Sequence, residues 1–286
     1  MTERSVTRLH PALRDDIGDL VTRRPVPGPA IDHLGAFLFL NHHGPQTYPP
    51  GNRGLPFGPH PHRGFETVTF ILEGELAHTD SAGHESIIRA GGVQWMTAGS
   101  GLIHAEVSPE AFKRSGGDLE ILQLWLNLPA RLKMCPPRYT GLQADAIPAI
   151  RGEGATLHLI SGEWQGSRGP VESLTHTFLS WVEAEPGAHI AFDGLGGRDV
   201  FLYAARGGFE VAGTTVPQFH LAELGPGDTL AVAASEPALF LFGHAEPIDE
   251  PVVAHGPFVM NSVEEIRQAF VDYQAGRFGT AEIVAG

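Results

Sequence analysis

The chain of 286 residues has a single cysteine, Cys135, so no internal disulfide framework braces it and no multi-cysteine zinc site can form. A metal held here rests mainly on histidine and carboxylate. Positive charge is also scarce: 19 Lys and Arg stand against 33 Asp and Glu, a formal net charge of −14. That balance disfavours direct nucleic-acid or membrane binding driven by electrostatics and leaves protein partners open. The opening stretch MTERSVTRLHPALRDD lacks the apolar segment of a signal peptide, and no run approaches the roughly 18 apolar residues of a membrane span. The expectation is a soluble, cytoplasmic protein. Helical periodicity is nearly missing as well.

Glycine, proline and histidine are plentiful, at 36, 23 and 15 residues. Short runs of β-branched, aromatic and leucine residues, bounded by Gly, Pro or Asp, recur from residue 36 to about 243 and predict an all-β chain. In 119–127, Leu122, Leu124 and Leu126 alternate with Ile121, Gln123 and Trp125, so both faces of that strand are expected to be covered. One helix is expected, over about 262–275. Ser262 and Glu265 form a capping-box signature, Val263, Ile266, Phe270 and Tyr273 share a face, and Gly276 is the stop. RAGGVQWMTA (89–98) resembles GPGDTLAVAA (225–234), about 135 residues later, which suggests a duplicated domain.

Two segments carry chemistry. In GPHPHRGFET (58–67), His60 and His62 are two residues apart; in an extended strand they share a face, with Cα atoms roughly 6.5–7 Å apart. In GSGLIHAE (99–106), His104 and Glu106 repeat that spacing. Three neutral nitrogens and one carboxylate suit iron, manganese, nickel, zinc or copper. An octahedral ion with four protein ligands keeps two positions open, the arrangement that non-haem oxygen chemistry requires. Isolated histidines such as His10, His33, His78, His84, His158, His176 and His189 read as surface or structural residues. Phe37, Phe39, Phe65, Trp95 and Trp125 are candidates either for an apolar pocket or for core, and His42-His43 for its mouth or for a turn. Arg63 reads as structural.

The histidine segments resemble the two motifs of the cupin superfamily. Gly54, His60, His62 and Glu66 follow the first; Gly74 falls one residue late. Gly101 and His104 follow the second, whose proline and asparagine are missing here. A more specific resemblance is to the pirin family, cupins with two tandem barrels. HPHRGFETVTFILEGELAH (60–78), QWMTAGSGLIHAE (94–106), LQLWLNLP (122–129), EPVVAHGPFVMNSVEEI (250–266) and DHLGAFLFLNHHGP (32–45) carry it in the expected order.

That resemblance implies two cupin (jelly-roll) barrels: 1–136 as the metal-binding domain, and 137–286 as a second barrel lacking the ligands and carrying the helix. It implies His60, His62, His104 and Glu106 as metal ligands. General cupin spacing nominates Glu66 instead, which shares the face of His60 and His62 if that strand is unbroken; Glu106 is preferred because its whole segment is pirin-like. Fe(II) is implied as the metal, with Zn, Ni, Mn, Co or Cu able to occupy the same ligands in purified protein. The activity implied is of the quercetin 2,3-dioxygenase type, cleaving a flavonol or another small aromatic or enolic substrate with O2 and releasing CO. Glu106 would be both ligand and base. The alternative is a non-enzymatic, iron-dependent regulator binding a transcription factor or metabolic enzyme; another cupin chemistry, on a small enol or sugar, is a third reading. At the repeat offset, His60 and His62 fall near Gly196 and Arg198, and His104 near Phe240, so the paired histidines are gone. His244 and Glu246 echo the HAE of 104–106.

Overall fold

The computed structural model describes residues 2–281, and antiparallel strands dominate it. The strand Gly117–Asn127 shows how the sequence pattern becomes a barrel wall: Leu122, Leu124 and Leu126 are buried on one face, while Gln123 and Trp125 turn half-open to the other. Each buried leucine contributes roughly 1.5–3 kcal/mol by leaving water.

The strands gather into two compact units. In the first barrel, Arg138–Leu142, Val93–Thr97, Phe65–Glu73, Gly117–Asn127 and the latter part of Phe37–Tyr48 are neighbours in that order in one sheet. Phe57–His62, Leu102–Val107, Glu75–Asp80 and Glu85–Arg89 form the other. In the second barrel, one sheet runs Val6–Pro11, His220–Leu224, Asp199–Arg206, Ala238–Ala245, Phe178–Ala184, Ala155–Ser161 and Ala149–Arg151. The other runs Ala188–Phe192, Leu230–Ala234, Phe209–Val211 and Thr214–Val216, and both sheets feed one apolar core that includes Phe178, Phe192, Phe240 and Phe242. The same strand order recurs, so the barrels are two copies of one plan.

The units differ from the continuous halves 1–136 and 137–286. The first barrel takes Asp15–Thr22, Asn41–Ala144 and 248–281, and the second takes 2–14, Arg23–Leu40 and Asp145–Pro247. Residues 1 and 282–286 lie outside the described residues. Long-range pairing explains the exchange of ends. Val6–Pro11 adds an edge strand beside His220–Leu224, and Arg4 donates to the carbonyls of Leu195 and Gly225 at 2.6 and 3.1 Å.

At the other end, the helix Val263–Gln274 belongs with the first barrel. Ser262 Oγ accepts from Glu265 N at 3.2 Å, Glu265 Oε2 accepts from Asn261 N at 2.9 Å, and Gly276 follows with φ +74°. The buried stripe differs from the expected one. Ile266 and Ala269 pack with Phe258, Met260 and Phe278, but Val263 and Tyr273 are exposed. Asp272 is drawn inward instead, because Arg63 Nη1 donates to its Oδ2 at 2.8 Å. Among the described residues no helix is long and apolar enough to cross a membrane.

Candidate metal centre

Phe57–His62 is an edge strand, which tolerates Pro59 and Pro61 because their missing N–H groups cost no inner ladder bonds. The prolines alternate with His60 and His62, and the pleat sends both imidazoles to one face. Leu102–Val107 pairs beside it with His104 directly opposite His60. The three rings stand 4.3, 4.8 and 4.9 Å apart by centroid, and one nitrogen from each lies within 4.8 Å of the others.

The rings are prepared as donors of lone pairs. His60 Nδ1 donates to Gly58 O at 2.7 Å and His62 Nδ1 to Pro257 O at 3.2 Å. A carbonyl only accepts, so each Nδ1 carries the proton and each Nε2 is left bare. His104 is fully buried, and neither of its ring nitrogens has a hydrogen-bond partner. Burial, reinforced by His60, pushes His62 down to about 3; burial and the neighbouring histidines hold His104 well below its ordinary value. Three converging imidazoles, two with Nδ1 tied to a carbonyl and the third buried without a hydrogen bond, fit a metal of borderline softness.

Glu106 follows His104 after a bulge and lies opposite Phe57. Its Oε2 is 4.0 Å from His104 Nε2 and accepts from Gln123 Nε2 at 2.7 Å. Its Oε1 accepts from Thr69 Oγ1 at 3.1 Å and from Gln94 Nε2. The structure therefore brings the three histidines together and sets Glu106, gripped by amides, at their side.

Glu66 goes elsewhere. The chain breaks at Arg63-Gly64, where Gly64 has φ +89° and a Cβ would meet Val259 O at 2.0 Å, so Phe57–His62 and Phe65–Glu73 enter different sheets. The parity that placed Glu66 beside the histidines is lost. Glu66 sits three residues before Thr69, on the opposite face from Glu106, with Thr97 Oγ1 donating to its Oε1 at 2.6 Å. Burial raises its pKa.

Of the aromatic candidates, Phe65 and Trp125 line the site: their rings are 5.0 and 5.4 Å from His62 and 4.3 Å from each other. Phe37 packs on Phe201 and Phe39 lies under Arg24, both in the second barrel's unit, and the buried Trp95, next to Gln94 in its strand, turns to the opposite face and bonds Glu66. His42 pairs with buried Glu120 at 2.8 Å and His43 with Thr22 at 2.9 Å, both structural contacts. His60, Gln123 and Trp125 are half-buried while His62, His104 and Glu106 are buried, so the site opens on the side of the former.

Reasoning from sequence missed Gln94 and Gln123. Their signal was a lone glutamine within VQWMT and within ILQLWLN, a polar group where the strand pattern calls for core. It also missed the C-terminal segment. Besides accepting from His62 through Pro257, that segment offers Val259 O to Lys133 Nζ at 3.1 Å, and the same ammonium holds Gly64 O at 2.8 Å and Asn127 Oδ1 at 2.7 Å. Burial lowers Lys133 to about 8.

The second barrel answers position by position. Glu106 opposite His78 corresponds to Val232 opposite Val211, and His104 opposite His60 to Leu230 opposite Phe192, with Gly194 in the place of His62. Gln123 opposite Thr69 and Trp125 opposite Thr67 correspond to Phe242 opposite Leu202 and His244 opposite Val200. The expected equivalents Gly196, Arg198 and Phe240 are displaced because links differ in length between the copies, the turn between His78 and Ser86 being longer than that between Val211 and Thr214. Phe192, Gly194, Leu230 and Val232 have no metal-binding side chain.

A family model described as Pirin matches residues 19–126, and one described as Pirin C-terminal cupin domain matches 180–279. A pirin-like protein of Caulobacter vibrioides is 43% identical over 225 residues, 78% of this chain and 80% of that one. The crystal structure of a quercetin 2,3-dioxygenase from Acinetobacter baumannii superposes with a TM-score of 0.91 at 31% identity, covering 97% of this chain and 99% of that one. The bacterial pirin YhhW of Escherichia coli, solved in complex with nickel(II), shares the fold at 21% identity and a TM-score of 0.67, over 84% of this chain and 99% of that one.

Proposed function

The chain belongs to the pirin family, and from that premise we propose that its first barrel is a metal-dependent dioxygenase site of the quercetin 2,3-dioxygenase type, taking a flavonol or a similar aromatic enol together with O2. The observation that carries the reading is the convergence of three histidines, the half-buried His60 and the buried His62 and His104, beside a buried carboxylate. His60, His62 and His104 would hold the ion and Glu106 would complete the set. Fe(II) is the metal proposed, and the nickel(II) in YhhW supports a divalent ion at this kind of site. When bound, the ion supplies open positions for a substrate oxygen and for O2.

The chain's own residues supply the rest. Glu106 Oε2, on the histidine side of its carboxylate, takes the proton of the substrate's hydroxyl, which leaves the organic group as an enolate or phenolate. Thr69, Gln94 and Gln123 only donate to that carboxylate, so the returning charge is stabilised when no proton is on it. Phe65 and Trp125 offer a flat apolar wall beside His62, suited to an aromatic ring. Protein reconstituted anaerobically with Fe(II) and then given O2 and quercetin is expected to consume O2 and release CO well above apo protein and above His62→Ala. Equal rates in all three samples would contradict the reading.

A further inference from the structure

The carboxylate of Glu106 is aimed from behind. Gln123 Nε2 donates to Glu106 Oε2 at 2.7 Å, and Trp125 Nε1 donates to Gln123 Oε1 at 3.3 Å. An indole N–H can only donate, so it fixes the orientation of the amide: oxygen toward Trp125, NH2 toward Glu106. Oε2 is also the oxygen 4.0 Å from His104 Nε2. Turned the other way, the amide would present its oxygen to the carboxylate, and the repulsion would swing Oε2 off its line.

We propose that Trp125 is a positioning residue for the metal centre: acting through Gln123, its indole N–H holds Glu106 Oε2 facing the three histidines. The inference rests on the reading of Glu106 as a ligand. Both residues lie on one face of Gly117–Asn127, two apart, so a single rigid strand carries the relay. The second barrel places Phe242 and His244 at these positions and Val232 where Glu106 would stand, so the relay is missing where the carboxylate is missing. A role for Trp125 as apolar wall depends on its ring, which packs on Phe65; the relay depends on its N–H.

Trp125→Phe separates the two, since it keeps an aromatic ring and removes the donor. Ni(II) affinity, read by competition with a chelator, is measured for Trp125→Phe, Gln123→Leu, the double variant and Glu106→Gln, with apo melting temperature as the check on folding. Each single change in the relay is expected to weaken Ni(II) about 10-fold, the low end for partners that orient a ligand. The double variant is expected to bind no more weakly than Gln123→Leu alone, because Trp125 works through Gln123. Multiplying losses in the double variant, or unchanged affinity in Trp125→Phe while Glu106→Gln is weakened, overturns the relay alone. Should Trp125→Phe loosen the barrel, unchanged affinity in Gln123→Leu overturns it equally. Unchanged affinity in Glu106→Gln removes the ligand reading, and the relay falls with it.

Discussion

The two barrels share one strand order and differ in what fills them. Where the first carries His60, His62, His104 and Glu106, the second carries Phe192, Gly194, Leu230 and Val232, and Phe192, Leu230 and Val232 lie within its apolar core. Where the first carries Gln123 and Trp125, the second carries Phe242 and His244, with Phe242 stacked on Phe192 at 3.7 Å. A buried polar group costs free energy unless it is bonded, so the second barrel is the cheaper way to build this wall. The first keeps three buried groups, His62, His104 and Glu106, that packing alone would replace, and leaves His104 without a hydrogen bond. That imbalance sets the barrel proposed to bind metal apart from the other.

The histidine left in the second barrel sharpens the contrast. His244 Nδ1 accepts from Arg198 Nε at 2.6 Å, and its ring stacks on Phe178 at 4.9 Å. A guanidinium, always charged, occupies the nitrogen that a ligand would need free. Burial and Arg198 push His244 to about 3.

The largest expected effect breaks the comparison at its root. His104→Ala should weaken metal binding by more than about 100-fold, beyond the range seen for partners that only orient a ligand, while His244→Ala leaves it unchanged. Metal content after dialysis reads both. Next, Phe242→Ala should destabilise the protein by roughly 3–5 kcal/mol through the cavity it leaves, with metal affinity retained; urea unfolding of the apo protein checks it.

The two glutamates are distinguished by Glu66→Gln and Glu106→Gln. Burial raises the pKa of Glu66 and so favours its uncharged form, for which an amide is a close substitute; Glu66→Gln should cost under about 1 kcal/mol and no metal affinity, whereas Glu106→Gln should weaken metal about 10-fold or more. Binding isotherms and melts of both variants decide this.

The pH dependence has a definite sign. Unfolded, His62 and His244 take a proton near 6.5; folded, they resist it to about 3. Between those values the unfolded chain binds more protons, so stability of the apo protein falls as pH drops from about 6.5 toward 3. His244→Gln should flatten that slope and keep the metal; His62→Gln should flatten it and lose the metal. Melting curves between pH 7 and 4 test both. A small effect is also expected of Ser262→Ala, which removes the helix cap and should cost about 1 kcal/mol by urea unfolding.

What was legible in the sequence was local. His60 with His62, and His104 with Glu106, are period-two pairs, and a strand turns that spacing into a shared face whatever surrounds it. The all-β class and the helix after Ser262 are local in the same way. Glu66 failed because its parity ran through Gly64, where the chain changes sheets. The second-barrel equivalents failed because a fixed offset cannot follow links of unequal length. The exchange of chain ends was hidden because Val6–Pro11 and the segment around Pro257 find their partners about 200 residues away. Asp272 broke the helix pattern because its partner, Arg63, lies 209 residues away in the sequence.

The central claim is that one metal centre exists, in the first barrel, on His60, His62 and His104. Nickel content per chain, measured after loading and dialysis of the wild type, His62→Ala, His104→Ala and Arg198→Ala, tests it most directly. About one ion per chain is expected in the wild type and in Arg198→Ala, and close to none in the two histidine variants. Nickel retained in both histidine variants would contradict it.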